Sequence, residues 1–210
     1  MAKEYAKGNI RGTAMWAHLA APETIQGVET DKYAISLIPS KEDLDAFLTE
    51  CETVWSEFLE QPENKKKRLK GEPNFGVRED DDGNQILKFK ANATIKFKNG
   101  EEKKRVVPIF DGLGNVITKK VQGILGNGSE IIVAYQLFPF IFSANNFGIS
   151  LRLDGIQVLK LEEYGGSQTA EGLGFSKHEG AFNGADLPDE DTNEEDIPFA
   201  DGDEDDNGDF

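Results

Sequence analysis

The stretch "NQILKFKANATIKFK", Asn84 to Lys98, alternates apolar and polar residues and lies between two turn signals, Asp82-Gly83 and Asn99-Gly100. Such dipeptides open tight hairpins because Asn, Asp and Gly accept the positive φ that these turns require. In a strand successive side chains point to opposite faces. Leu87, Phe89, Ala91, Ala93, Ile95 and Phe97 therefore share one face, and Lys88, Lys90, Asn92, Thr94, Lys96 and Lys98 the other. The first set reads as core, anchored by Phe89 and Phe97. The second predicts a row of four lysines on the outside of a sheet, about 6 to 7 Å apart for alternate residues.

Working outward, "GNIRGTAMWAHLA" (8–20) and "KYAISLI" (32–38) read as strands. The period then changes. After Ser40, a candidate N-cap, "KEDLDAFLTECETVWSEFLEQ" sets Leu44, Phe47, Leu48, Cys51, Val54, Trp55, Phe58 and Leu59 at spacings of three and four, and Pro62 stops the run. This predicts one amphipathic helix lying on a sheet. A basic link, "NKKKRLKGEPN" (64–74), leads back to period two. Further strands are expected near 103–110, 129–142 and 148–161, with a Gly-rich loop over 111–128. About six strands and one helix define a mostly β chain. A small closed or nearly closed antiparallel barrel of the oligonucleotide-binding (OB) type, with one inserted helix, is the expected fold.

Charge divides the chain. From Asp186 to Phe210 there are thirteen acidic residues and no Lys or Arg, so this end carries −13 of the formal −16. Between Lys65 and Lys120 fifteen basic residues face eight acidic ones. A polyanion-binding body with an acidic appendage follows. The expected organisation is a nucleic-acid-binding domain over 1–164, a flexible Gly-rich linker over 165–185 and a disordered acidic tail over 186–210. The single cysteine, Cys51, excludes an intramolecular disulfide and sits in the apolar stripe of the helix, as packing rather than as a nucleophile. With no apolar leader and no run of eighteen apolar residues, a soluble, intracellular protein with no membrane partner is expected, and a reducing cytoplasm fits.

The segment "IIVAYQLFPFIFSANNFG" (131–148) places Ile131, Val133, Tyr135, Leu137 and Ile141 on one face, and Gln136, Phe138, Phe140 and Phe142 on the other. Aromatic rings beside a lysine row are the means of sequence-independent single-strand binding: cations hold the backbone, and flat rings stack on any base for roughly 1 to 3 kcal/mol each. Burial under the helix or in a homodimer interface is the alternative use of these rings. Candidate contacts are Lys88, Lys90, Lys96, Lys98, Phe138, Phe140 and Phe142, joined by Arg152 and, on neighbouring strands, by Trp16 and Tyr33. "GILGNGS" (123–129) is not a dinucleotide motif, the acidic clusters do not complete a calcium loop, and His18 and His178 lack partners at ligand spacing. No catalytic residues, metal or cofactor are expected.

In order along the chain, "GTAMWAHLAAP", "YAISLIPSKED", "LKFKANATIKF", "GILGNGSEIIVAYQLFPFIF" and the ending "DEDDNGDF" resemble the gene-2.5-type single-stranded-DNA-binding proteins of tailed phages. The resemblance implies an OB fold with a helix after the second strand, coating of single strands during phage replication, and a tail that contacts the replicative polymerase and the helicase/primase. By position it implies DNA contact at Lys88, Lys90, Phe140 and Phe142. It also implies partner contact through Asp203, Glu204, Asp205, Asp206, Asp209 and above all Phe210. "EEDIPF" (194–199) resembles the terminal peptide of bacterial single-stranded-DNA-binding proteins but is internal here, which makes Phe199 a second candidate anchor. Two other readings stay open at this point: an acidic-tailed chaperone of basic proteins, and RNA binding through the same chemistry.

Overall fold

A computed structural model of the chain describes residues 5–97 and 100–163; Lys98, the linker and the acidic tail of the sequence reading lie outside them. In chain order the elements are β1 (Lys7–His18), β2 (Thr24–Ile25), β3 (Val28–Glu29), β4 (Lys32–Pro39), α1 (Lys41–Glu60), β5 (Val77–Glu79), β6 (Gln85–Asn92), β7 (Thr94–Lys96), β8 (Glu102–Lys104), β9 (Ile109–Phe110), α2 (Thr118–Val121), β10 (Glu130–Ser143) and β11 (Asn146–Lys160). The long strands and the long helix are those read from the periodicity. The strand expected near 103–110 is instead two short ones, β8 and β9, in different sheets, and the remaining elements are two to four residues long, too short for a period to show.

Seven strands form one sheet in the order β5-β6-β4-β1-β10-β11-β9. The sheet curls until β6 meets β11, and that seam is closed by one parallel residue pair, Lys90 with Arg152. Five strands thus make a partly open ring, an OB-like arrangement. Alternation decides what fills it: Tyr33, Ile35, Leu37, Leu87, Phe89, Ile131, Val133, Tyr135, Leu137, Leu151 and Leu153 all point inward and are buried.

Helix α1 closes one side of the ring. Ser40 accepts a hydrogen bond from the Asp43 N–H at 3.1 Å, as an N-cap should. At the other end the buried Asn64 amide donates to the Phe58 carbonyl at 2.8 Å, occupying one of the acceptors a helix end leaves open. Leu44, Phe47, Cys51, Trp55 and Phe58 form the buried stripe. The Phe47 ring meets Tyr135 edge-on at 5.4 Å, Trp55 lies over Phe147 at 5.8 Å, and the Tyr135 hydroxyl donates to Glu50 at 2.6 Å. Burying side chains of this size contributes about 1.5 to 3 kcal/mol apiece. Burial, aided by Glu50 and Glu52 nearby, pushes the Cys51 thiol up to about 12, so it is packing and not a nucleophile.

The strand expected from Asn84 to Lys98 is interrupted. It runs as β6 to Asn92, bends at Ala93, and resumes as β7 paired to β8 in a separate two-stranded sheet. Asp31 holds the bend: its carbonyl accepts from the Ala93 N–H and its carboxylate from the Thr94 hydroxyl. Beyond the bend the parity no longer refers to the same core. Phe97, expected inside, is 48% exposed.

Two turns share one construction. In "DDDGN" (80–84) and "DGLGN" (111–115) the leading aspartate accepts from the N–H two residues on, the N–H four residues on and the Asn amide, while Gly83 or Gly114 takes positive φ. These hydrogen bonds favour the carboxylate form and hold the Asp80 and Asp111 carboxyls below the ordinary range. The acidic "EDDDGN" is thereby accounted for as a hairpin turn.

Candidate nucleic-acid interface

The seam of the ring is also where charge and aromatic surface converge. Register places Lys32 opposite Asn92, Ala34 opposite Lys90 and Ser36 opposite Lys88, while Phe138 lies opposite Ser150 and Gln136 opposite Arg152. Because β6 and β11 touch at Lys90 and Arg152, these outward rows meet across one groove of about 380 Å³. Lys32, Lys90 and Asn92 line one wall; Phe138, Pro139, Phe140, Ser150 and Arg152 line the other. An adjoining hollow shares Lys90, Phe140 and Ser150 and adds Arg78, Lys88, Asn74 and Gly76.

The electrostatics of the groove are those of an anion site. Partial burial, then the charge of Lys88, hold the Lys90 ammonium below the ordinary lysine value; Arg78 and Lys32 act in the same direction, and Glu23 opposes them. A phosphate entering here would relieve that repulsion. Among the described residues, Glu23 is the one anion acting on Lys90. It is buried, forms an ion pair with Lys88, and lies 4.0 Å from the Lys90 amine through Oε2, an oxygen with no hydrogen-bond partner among the described residues.

Of the aromatics, Phe140 is half-buried and lines both hollows, and Phe142 is 85% exposed near the end of the same strand. Phe138 lies in the groove but is already engaged. Tyr5 stacks on its ring at 3.7 Å between centroids, and the Arg152 guanidinium sits over it at 5.2 Å. Both Tyr5 and Arg152 thus engage the Phe138 ring.

The other sequence candidates are placed as follows. Lys88 is inside the cluster but neutralised by Glu23. Lys96 belongs to the β7–β8 hairpin and pairs with Glu102 at 2.9 Å, which raises its pKa and removes it from the groove row. Lys98 lies outside the described residues. Tyr33 shares its parity with Ile35 and Leu37, so it faces the core and is only 2% exposed, not a surface ring. Trp16 is half-exposed at a bulge of β1 with φ of 49°, and its main-chain N–H donates to the Asn127 side-chain carbonyl. It lines a different hollow with Leu19, Gln122 and Leu125, sharing no residue with the groove. The tail residues Asp203, Glu204, Asp205, Asp206, Asp209 and Phe210, with Phe199, lie outside the described residues. Sequence reasoning missed Lys32, Arg78, Asn92, Tyr5 and Glu23. Only Asn92 carried a usable signal, as a member of the lysine face.

Among the described residues no group of three or more His, Cys, Asp or Glu could hold a metal, and no helix is long and apolar enough to cross a membrane. An OB-like ring with a cationic, ring-lined groove at its seam defines the class of a single-strand-binding protein. A family model described as "Single-stranded DNA-binding protein, Bacteriophage T7" matches residues 29–161, and the chain belongs to that family. It is accordingly a single-stranded-DNA-binding protein of phage type and not an enzyme. Among solved structures, the chain is similar to gp2.5, a single-stranded DNA binding protein encoded by bacteriophage T7. Identity is 23%, coverage 86% of this chain and 99% of that one, and the TM-score 0.59. It is also similar to the single-stranded DNA-binding protein of bacteriophage Enc34 in complex with ssDNA. There identity is 14%, coverage 76% and 89%, and the TM-score 0.51. At these identities the structural likeness speaks for the fold alone. No curated protein sequence matches the chain.

Proposed function

We propose that the protein coats single-stranded DNA without sequence preference during phage replication and recombination in the host cytoplasm, and that its groove is the binding site. Lys32, Lys90 and Arg152 take phosphates, and Arg78 and Lys88 lie alongside. Phe140 stacks on a base, with Phe142 continuing the ladder. Cations and flat rings hold any sequence, because every base has a π-face and every nucleotide a phosphate. The acidic end over 186–210, joined through a Gly-rich linker over 165–185 to a binding domain over 1–164, recruits replication proteins such as polymerase and helicase/primase, with Phe210 as apolar anchor.

The observation that carries this reading is the convergence of Lys32, Lys90, Arg152 and Phe140 in one groove at the ring seam. Fluorescence titration with matched single- and double-stranded oligonucleotides tests it. Tighter, salt-sensitive binding of the single strand is expected, and Lys90→Ala should lower both affinity and salt slope by about one phosphate contact, about 0.7 in the log–log plot. Preference for duplex, or retention only on immobilised basic protein, would return the chain to a duplex-binding or chaperone role.

A further inference from the structure

The basic residues of the link, 64–74, do not line the groove, although its last residue, Asn74, lines the adjoining hollow. Lys65, Lys66, Lys67, Arg68 and Lys70 are exposed, and none forms a salt bridge with a described residue. This contrasts with Lys88, Lys96 and Lys160, whose charges are each met by a glutamate. The link is held at both ends. Asn64 is buried and bonded to the end of α1, while the Lys70 N–H donates to the Ala144 carbonyl at 2.8 Å. Asn74 exchanges hydrogen bonds with β11 at Phe147 and Ile149, at 3.0 and 2.8 Å.

That second anchor depends on one residue. Gly148, with φ of 146°, forms a bridge with Asn74, and a Cβ at Gly148 would run into the Asn74 main chain. Only glycine lets the two backbones approach so closely. Gly148 also lies opposite Phe140 in the β10–β11 ladder.

The rings supply the direction. Phe138 and Phe140 succeed one another on the outer face of β10 at about 6 to 7 Å per step, and Phe142 follows at the irregularity between Ile141 and Ser143. The series starts in the groove and ends two residues before Ala144, where the basic link is attached. We propose that the bound strand leaves the groove over Phe142 and continues onto this link, so that Lys65, Lys66, Lys67 and Arg68 form a second phosphate subsite held in place by Gly148. The proposal rests on the groove reading. It adds binding length without a second set of stacking rings, so it tightens long oligonucleotides and leaves short ones unaffected.

The test uses the full-length chain and oligothymidylates of about 4 and about 16 nucleotides, the range spanned by single OB folds. Lys66→Ala/Lys67→Ala should bind the short oligonucleotide within twofold of the intact protein. For the long one the salt slope should fall by about 1.4, two contacts' worth. The loss of affinity between about 50 and about 200 mM salt then shrinks about sevenfold. Gly148→Ala leaves every charge in place and should reproduce the length-dependent loss. If that variant does not fold, the lysine pair, on exposed side chains, decides alone. Unchanged binding at both lengths, or equal losses at both, overturns the subsite. Tighter binding of the long oligonucleotide by the double variant overturns it too, assigning the link to the acidic tail. An intact protein that binds neither length overturns the groove reading itself, and is distinguishable from these outcomes for that reason.

Discussion

Replacing Glu23 by Gln separates fold stability from DNA affinity, because the carboxylate serves the first at the expense of the second. Its side chain is 10% exposed, that of its partner Lys88 24%, and Lys90 lies 4.0 Å away. The change keeps the shape and one acceptor for Lys88 but removes the charge. Loss of a charge-assisted hydrogen bond costs about 1.5 to 3 kcal/mol. The lower part of that range applies, because Lys88 still reaches solvent. A phosphate docked on the far side of Lys90 would sit roughly 8 Å from Glu23. The repulsion removed is then about 0.5 kcal/mol at the dielectric of bulk water and about 2 kcal/mol at the effective value for a partly buried site. Affinity for single strands should therefore rise between about twofold and about thirtyfold, with a steeper salt slope as Lys88 becomes available to phosphate. Thermal melting and a salt-dependent fluorescence titration on one preparation read both effects. A folded variant with unchanged or weaker binding would refute the reasoning. It would mean that Glu23 acts only by holding Lys88 in position.

Phe140→Ala should cost roughly 1 to 3 kcal/mol of single-strand affinity with little change in melting, whereas Phe89→Ala, fully buried in the ring, should cost about 3 to 5 kcal/mol of stability; melting curves of the two variants that do not differ would contradict the assignment. Cys51, with its thiol pushed up to about 12, should stay unmodified by thiol reagents in the folded protein at pH 8 and react only as fast as the chain opens, which mass spectrometry across a denaturant series checks. Removal of residues 186–210 deletes thirteen acidic charges. It should tighten single-strand binding and steepen its salt dependence, and equal slopes for the two forms would limit the tail to partner recruitment.

What the sequence made legible was local. Ser40 and Pro62 bound the helix, and spacings of three and four picked its buried face, because capping and amphipathicity act within a few turns. The inner face of β10 was legible for the same reason, since alternation continues unbroken from Ile131 to Leu137. Phe97 was misread because alternation says which residues share a face but not where a strand bends. The bend at Ala93 is made by Asp31, sixty-two positions away in the chain. Lys88 was read as free because its partner Glu23 lies sixty-five positions away and belongs to a loop without a period. Tyr33 followed the parity rule correctly once its neighbours Ile35 and Leu37 were known to face the core. Its ring alone gave no direction.

The places where local rules fail are also the places where the groove is built. Lys90 and Arg152 are the pair at which β6 and β11 come into register, and like charges opposed across a strand pair are unfavourable. Glu23 is buried with one oxygen that has no hydrogen-bond partner among the described residues, and Phe138 is engaged by Tyr5 and Arg152 instead of filling the core. A barrel selected for stability alone would place apolar or oppositely charged residues at that seam. The observed arrangement makes sense when a polyanion supplies the missing counter-charge, since functional sites are where a sequence departs from the choices its fold favours. On the proposed reading, the strand register that closes the ring is also the register that brings Lys90, Arg152 and Phe140 into one groove for a nucleic-acid strand.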